Sequence, residues 1–259
     1  MVVDQRVIVS PGGPDASIVA LSLADGKTLW STRGNAAAYA PFIVGVFGGK
    51  RQLIGYDSAG LGGWDIGTGQ RLWEMIPPDA SDFNVATPVA WRDGLILSTE
   101  NNATRYYVFR PDGSIIQKPK WFNLDCAPDT CTPAVVNIDG EDRLFCTAYG
   151  ELFCLNGENL ETRWSEADER FYDHTCLITG NDRLLMWTND CDLLLFDATT
   201  DQMKLVSTAR PMTSNKAESM SHPAIVGDRL FLRSQTELIC LRMPDPVSSK
   251  GLPPSGEER

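Results

Sequence analysis

The chain contains two histidines, His174 and His222, and each sits at or next to the start of a segment that reads as a β-strand. Tyr39, Thr87, Thr132 and Asp173 hold comparable places ahead of other such segments. If the fold gathers these openings, the set offers two groups that titrate near neutrality beside a carboxylate and three hydroxyls. That chemistry suits a small ligand or a peptide. The plainer reading is that the same residues cap a water-filled channel and bind nothing. The seven cysteines are an odd number, and none forms a CxxC pair or stands at a metal-ligand spacing from either histidine. Cys154 and Cys240 read as small core residues. Cys126 and Cys131 flank the short loop Ala-Pro-Asp-Thr and are the best candidates for a disulfide, which would require an oxidising compartment. The acidic runs at 139–142 and 166–169 lack the alternating ligand spacing of an EF-hand loop and read as solvated turns, so no metal site is expected.

The elements that would position these residues follow from a repeat. Residues 63–73, GWDIGTGQRLW, read as a strand end, an Asp-led turn through Gly67-Thr68-Gly69, and a returning strand. Residues 20–30 (ALSLADGKTLW) and 154–164 (CLNGENLETRW) repeat the pattern, and weaker copies lie at 108–116, 195–205 and 240–245. The apolar residues before the turns are Leu21, Trp64, Phe109, Leu155, Phe196 and Leu241, at intervals of 43, 45, 46, 41 and 45 residues. Several short strands recurring at that period, without helix-period segments, predict an all-β fold: a β-propeller of four-stranded antiparallel blades, about six of them present. The units are expected at about 1–33, 39–76, 85–122, 130–166, 173–209 and 220–243. Ala40-Pro41, Thr87-Pro88, Thr132-Pro133 and His222-Pro223 mark the inner-strand openings, because proline cannot donate to a sheet ladder. Residues 244–259, rich in Pro, Ser and charge, are expected to form a disordered tail.

Composition narrows the function. Hydrophobic residues at 42% and charged residues at 22% describe a globular protein, and no apolar run reaches membrane-spanning length. A net charge of −11 without a basic cluster argues against nucleic acid as a partner.

The turn unit resembles the pyrroloquinoline-quinone-type propeller repeat, whose core pattern is A-x-D-x-x-T-G-x-x-x-W. Asp65, Thr68, Gly69 and Trp73 match it, with Gly63 in place of the Ala. Ala20, Gly26 and Trp30 match in the first copy, and Trp164 alone in the fourth. The resemblance implies that Trp30, Trp73 and Trp164 are structural, each docking on the turn of the neighbouring blade. It also implies an exported bacterial protein of the periplasm or cell envelope, although Met1-Val2-Val3-Asp4 begins no signal peptide. Relatives are commonly eight-bladed, so six units would form an incomplete ring whose uncovered end blades could pair as a dimer.

Members divide between quinoprotein dehydrogenases and non-catalytic relatives, among them the propeller lipoprotein of the outer-membrane β-barrel assembly machinery. The dehydrogenases hold their quinone against a disulfide between adjacent cysteines, with a calcium ion and an Asp base. No two cysteines are adjacent here, so those residues have no counterparts. The expected function is therefore a non-catalytic scaffold or binding module without a cofactor, presenting its channel-mouth face to a protein, peptide or carbohydrate. The alternative is a quinoprotein-like alcohol dehydrogenase with an unconventional site, requiring pyrroloquinoline quinone and calcium.

Overall fold

The computed structural model describes residues 1–243; the tail expected at 244–259 lies outside them. Six antiparallel sheets follow one another along the chain. The first contains β1 (Val2–Val3), β2 (Arg6–Val9), β3 (Ile18–Ser22) and β4 (Thr28–Thr32). The second contains β5 (Ile43–Phe47), β6 (Lys50–Tyr56), β7 (Leu61–Trp64) and β8 (Arg71–Met75). The third is built from β9 (Val89–Trp91), β10 (Gly94–Thr99), β11 (Ala103–Val108) and β12 (Trp121–Asn123). The fourth comprises β13 (Ala134–Ile138), β14 (Glu141–Ala148), β15 (Glu151–Asn156) and β16 (Thr162–Ala167). In the fifth are β17 (Thr175–Thr179), β18 (Arg183–Thr188), β19 (Leu193–Asp197) and β20 (Leu205–Ala209), and in the sixth β21 (Ala224–Val226), β22 (Arg229–Arg233) and β23 (Leu238–Arg242). Strands pair in chain order within every sheet, giving a six-bladed propeller. Among the described residues there is no α-helix, only a 3₁₀ turn at Glu169–Phe171.

Blades two to five repeat one local device between their third and fourth strands. The Asp65 carboxylate accepts hydrogen bonds from the Thr68 backbone N–H (2.8 Å) and hydroxyl (2.9 Å). Asp112 does the same for Ser114, and Asp197 for Thr199. Asn156 accepts from the Glu158 N–H. These side chains hold the backbone in a tight reversal without help from the rest of the fold. A register shift then follows at Ala20/Leu21, Gly63/Trp64, Cys154/Leu155 and Leu195/Phe196, one extra residue that sharpens the twist of each outer hairpin.

The fourth strand of blade three forms late, at Trp121–Asn123, since Pro119 cannot donate and Ile115 makes only an isolated bridge to Phe109. The first strand of blade one is only two residues long, Val2 and Val3 pairing with Val7 and Arg6. Asp4 and Gln5 make that reversal at positive φ.

The core is a chain of apolar clusters between blades. Ile8, Ile18 and Trp30 of blade one pack with Leu53 and Trp64 of blade two. Ile54, Leu61 and Trp73 pack with Leu95 and Tyr107 of blade three. A larger cluster joins blades three to five through Tyr106, Phe145 and Phe196, and a last one joins Trp187 of blade five to Leu230 and Leu232 of blade six.

Candidate functional site

Strand alternation sorts the loops. With four antiparallel strands per blade, the crossovers between blades and the hairpins between second and third strands emerge on one face. The turns between third and fourth strands emerge on the other. Every expected channel-mouth residue is on or beside a crossover, so all six belong to the first face.

The structure brings some of them together. The Thr87 N–H donates to Thr132 Oγ1 at 3.0 Å, tying the openings of blades three and four. Asp173 and His174 line a pocket of about 390 Å³ with Val85, Asp129, Tyr172 and Glu218, drawn from the crossovers that precede blades three to six. The His222 ring lies 6.2 Å from that of His174, edge to face, and His174 Nε2 is 3.2 Å from the Cys176 Sγ. Desolvation in the mouth lowers the pKa of both imidazoles, and the charge of His222 further opposes protonation of His174. Tyr39 stands apart, 76% exposed on the crossover between blades one and two and outside the pocket lining.

Sequence reasoning missed Asp129, Glu218 and Met220. They lie in crossovers with no strand periodicity, and only closure of the blades around a common axis assembles them. The available signal was positional: each sits a few residues ahead of an inner-strand opening.

A second pocket of about 180 Å³ adjoins, lined by Glu100, Asp129, Cys131, Tyr149, Tyr172 and Asp173 among others. Cys131, in its wall, and Cys126, the two expected to pair as a disulfide, are both unbridged in this structure. Cys146, on β14, shares their buried cluster and donates to the Cys131 carbonyl at 3.7 Å. All three are buried, as is Cys154, while Cys240, expected in the core, is exposed on the last blade.

The face as a whole is acidic and apolar. Asp129, Asp173, Glu218 and Glu100 line the two pockets, and no Lys or Arg does. Around them Tyr39, Phe83, Leu124, Tyr149, Tyr172 and Met220 are exposed on crossovers and second hairpins. Pyrroloquinoline quinone, a tricarboxylate, does not fit this donor set, because three or four carboxylates would repel it without a cation to hold it. Among the described residues no three His, Cys, Asp or Glu side chains converge as a metal site.

The repeat tryptophans occupy the boundaries between blades. Trp30 Nε1 donates to the Ile66 carbonyl of blade two at 3.1 Å, and its indole lies over Gly69. Trp73 reaches blade three through Gln52: its Nε1 donates to Gln52 Oε1 (2.6 Å), whose Nε2 donates to the Gly113 carbonyl (2.9 Å). Trp164 Nε1 donates to the Thr200 carbonyl of blade five at 3.4 Å. Two further contacts follow the same logic on other strands, Trp91 to Asp142 and Trp187 to Ser219.

Comparison with known proteins accords with this architecture. Residues 1–109 match the family model described as "Outer membrane protein assembly factor BamB". No curated protein sequence matches the chain. Among solved structures, BamB from Moraxella catarrhalis superposes with a TM-score of 0.61 at 17% identity, covering 92% of this chain and 70% of that one. The Cps50 (Swd1) β-propeller domain of Myceliophteria thermophila gives 0.62 at 15% identity, covering 92% and 79%. The computationally designed Ika8 protein gives 0.57 at 11% identity, covering 94% and 82%. Those identities establish the fold alone. Residues 1–109 thus resemble that family's propeller repeat, and the solved structures show the β-propeller fold for the chain.

Proposed function

We propose that the chain is a non-catalytic propeller scaffold of the cell envelope that binds a protein partner on its crossover face. The observation that carries this is the composition of that face: exposed Tyr149, Tyr172, Phe83 and Met220 around a carboxylate-lined mouth. Aromatic residues and methionine are the anchors of protein interfaces, while a sugar or small-molecule site would be a deeper, better enclosed pocket. The carboxylates select for a partner segment that carries Lys or Arg between apolar residues. The matched family's printed description, an assembly factor of the outer membrane, supports an envelope location and a protein partner.

The test is site-specific photocrosslinking in the native cell. Probes at Tyr172 and Met220 are expected to capture one envelope protein, and probes at Thr68 and Asp112, on the opposite face, to capture none. Crosslinks confined to the opposite face would overturn the reading, as would saturable quinone binding with calcium-dependent oxidation of an alcohol.

A further inference from the structure

The pockets of the crossover face run together. The mouth pocket of about 390 Å³ shares Asn189, Glu218 and Met220 with a pocket of about 220 Å³ over blade six, where Arg233 and Gln235 complete the lining. On its other side it shares Asp129, Tyr172 and Asp173 with the 180 Å³ pocket. Tyr149 borders both that pocket and a groove of about 480 Å³ between blades three and four, beside Leu124 and Phe153. One trough therefore leads from the flank of blade four, across the mouth, to the tip of blade six. Its chemistry changes along its length. The outer end sets Leu124 and Tyr149 beside Asp125 and Glu151, and carboxylates continue over the mouth as Glu100, Asp129, Asp173 and Glu218. At blade six the sign reverses: Arg233 is exposed and, among the described residues, its guanidinium forms no ion pair or hydrogen bond.

Two local details narrow what could lie there. The backbone N–H groups around Arg233 are already engaged: Ser234 donates to the Glu237 carbonyl, Gln235 to the Glu218 carbonyl, Thr236 and Glu237 to Ser234 Oγ, and Ser221 to Ser219 Oγ. A chain-terminal carboxylate needs a cradle of free N–H groups, so this end suits a side-chain carboxylate on the guanidinium instead. Tyr149 and Gly150 form the two-residue reversal between Ala148 and Glu151, with φ of +54° and +80°, the type I′ geometry that favours Asn-Gly. A bulky aromatic is strained there and its ring is exposed, so neither the turn nor the core accounts for it. Contact with a partner does.

We propose that the trough holds an extended segment of a partner protein, which places an apolar side chain against Tyr149, Lys or Arg over the mouth carboxylates, and Asp or Glu on Arg233. An extended chain advances about 3.3 Å per residue with side chains to alternate sides, so it can serve successive pockets in order. A convex domain surface would rest on the hairpin tips and leave the pockets unfilled. The alternation of charge along the trough fixes the order of the segment, because each end repels the residue that suits the other. This inference rests on the scaffold reading and sharpens it: the partner engages through a linear run of residues.

The probe is a displayed library of random linear peptides, selected on the folded chain and counter-selected on a Tyr149→Asn, Arg233→Glu chain, whose two changes are both at exposed positions. Selected peptides are expected to share one order, apolar, basic, acidic, read in one chain direction. A synthetic copy should bind about tenfold or more weakly once its acid is made an amide, and equally so on Arg233→Glu. Arg233→Glu should regain that affinity when the peptide acid is changed to Lys. Tyr149→Asn should weaken binding by a similar factor while raising the melting temperature, because it relieves the turn; a purely structural Tyr149 would lower the melting temperature. No enrichment over the doubly substituted chain, peptides without that order, or a charge swap that restores nothing would each overturn the inference. If Tyr172 and Met220 still crosslink to one envelope protein in that event, the scaffold reading stands with a folded partner surface. If they capture none, it falls as well.

Discussion

At the scale of single residues, the side chains that matter most are those serving two blades at once. Gln52 is fully buried and satisfies both the Trp73 indole N–H and the Gly113 carbonyl, so its loss leaves two buried polar groups unpaired. Gln52→Leu is expected to cost about 1–3 kcal/mol, read from the urea midpoint. Trp73→Ala removes a buried aromatic from the cluster it shares with Ile54, Leu95 and Phe109 and should cost about 3–5 kcal/mol; an unchanged midpoint would contradict the packing. The two histidines make a pH prediction. Their folded pKa values lie below 6.5, so on acidification through 6.5 the unfolded chain takes up protons first and the native state loses stability. The loss is complete once the pH is below the folded values. Cys131, depressed to about 6, adds a separate loss as pH falls from the ordinary thiol range toward its folded value. The histidine part is therefore read as a difference: a His174→Gln, His222→Gln chain should share the wild-type melting profile above pH 7 and stay above it, relatively, below 6.5. Parallel profiles across that window would show that the imidazoles are as solvated folded as unfolded.

At the scale of the element, the outer hairpin is where local chemistry and blade packing meet. Gly69 and Gly26 occupy the same turn position in blades two and one, with φ of +72° and +71°. A Cβ on Gly69 would collide with the Trp30 indole, whereas one on Gly26 meets nothing within 4 Å. Gly26→Ala should thus cost only the backbone penalty, about 1 kcal/mol. Gly69→Ala adds displacement of Trp30 and should cost about 2–3 kcal/mol, with a red shift in tryptophan emission. Equal costs would mean that Trp30 does not dock on that turn. The contrast separates a residue chosen for its turn from one chosen also for its neighbour.

At the scale of the whole molecule, each apolar cluster belongs to neighbouring blades, and the first and last blades each take part in one cluster only. Their outward sides expose Leu23 and Leu29 on blade one and Ile225, Val226 and Leu238 on blade six. Among the described residues no hydrogen bond or ion pair joins those two blades. Apolar sheet surface of this kind favours association. The chain is expected to self-associate as concentration rises, measured by light scattering, and a Val226→Lys, Leu238→Lys chain to remain monomeric. A wild type that stays monomeric throughout would contradict association through these ends.

The sequence by itself determined the repeat, because its information is local. An Asp that accepts from the next N–H groups, a Gly at positive φ and a Trp at fixed offset specify a hairpin within a dozen residues, and six copies imply blades. It also marked the inner-strand openings, since proline declares itself wherever a ladder donor is unwanted. Tertiary structure decided what those openings assemble. Asp173 and His174 share a pocket with Asp129 and Glu218 only because crossovers at least 44 residues apart converge on one axis, which no local pattern encodes. The cysteines show the same division: spacing suggested Cys126 with Cys131, but the fold also brings Cys146, on the second strand of the next blade, into their buried cluster. Sequence proximity measures how easily two sulfurs could meet in an open chain. In the folded one, strand register determines which of them do.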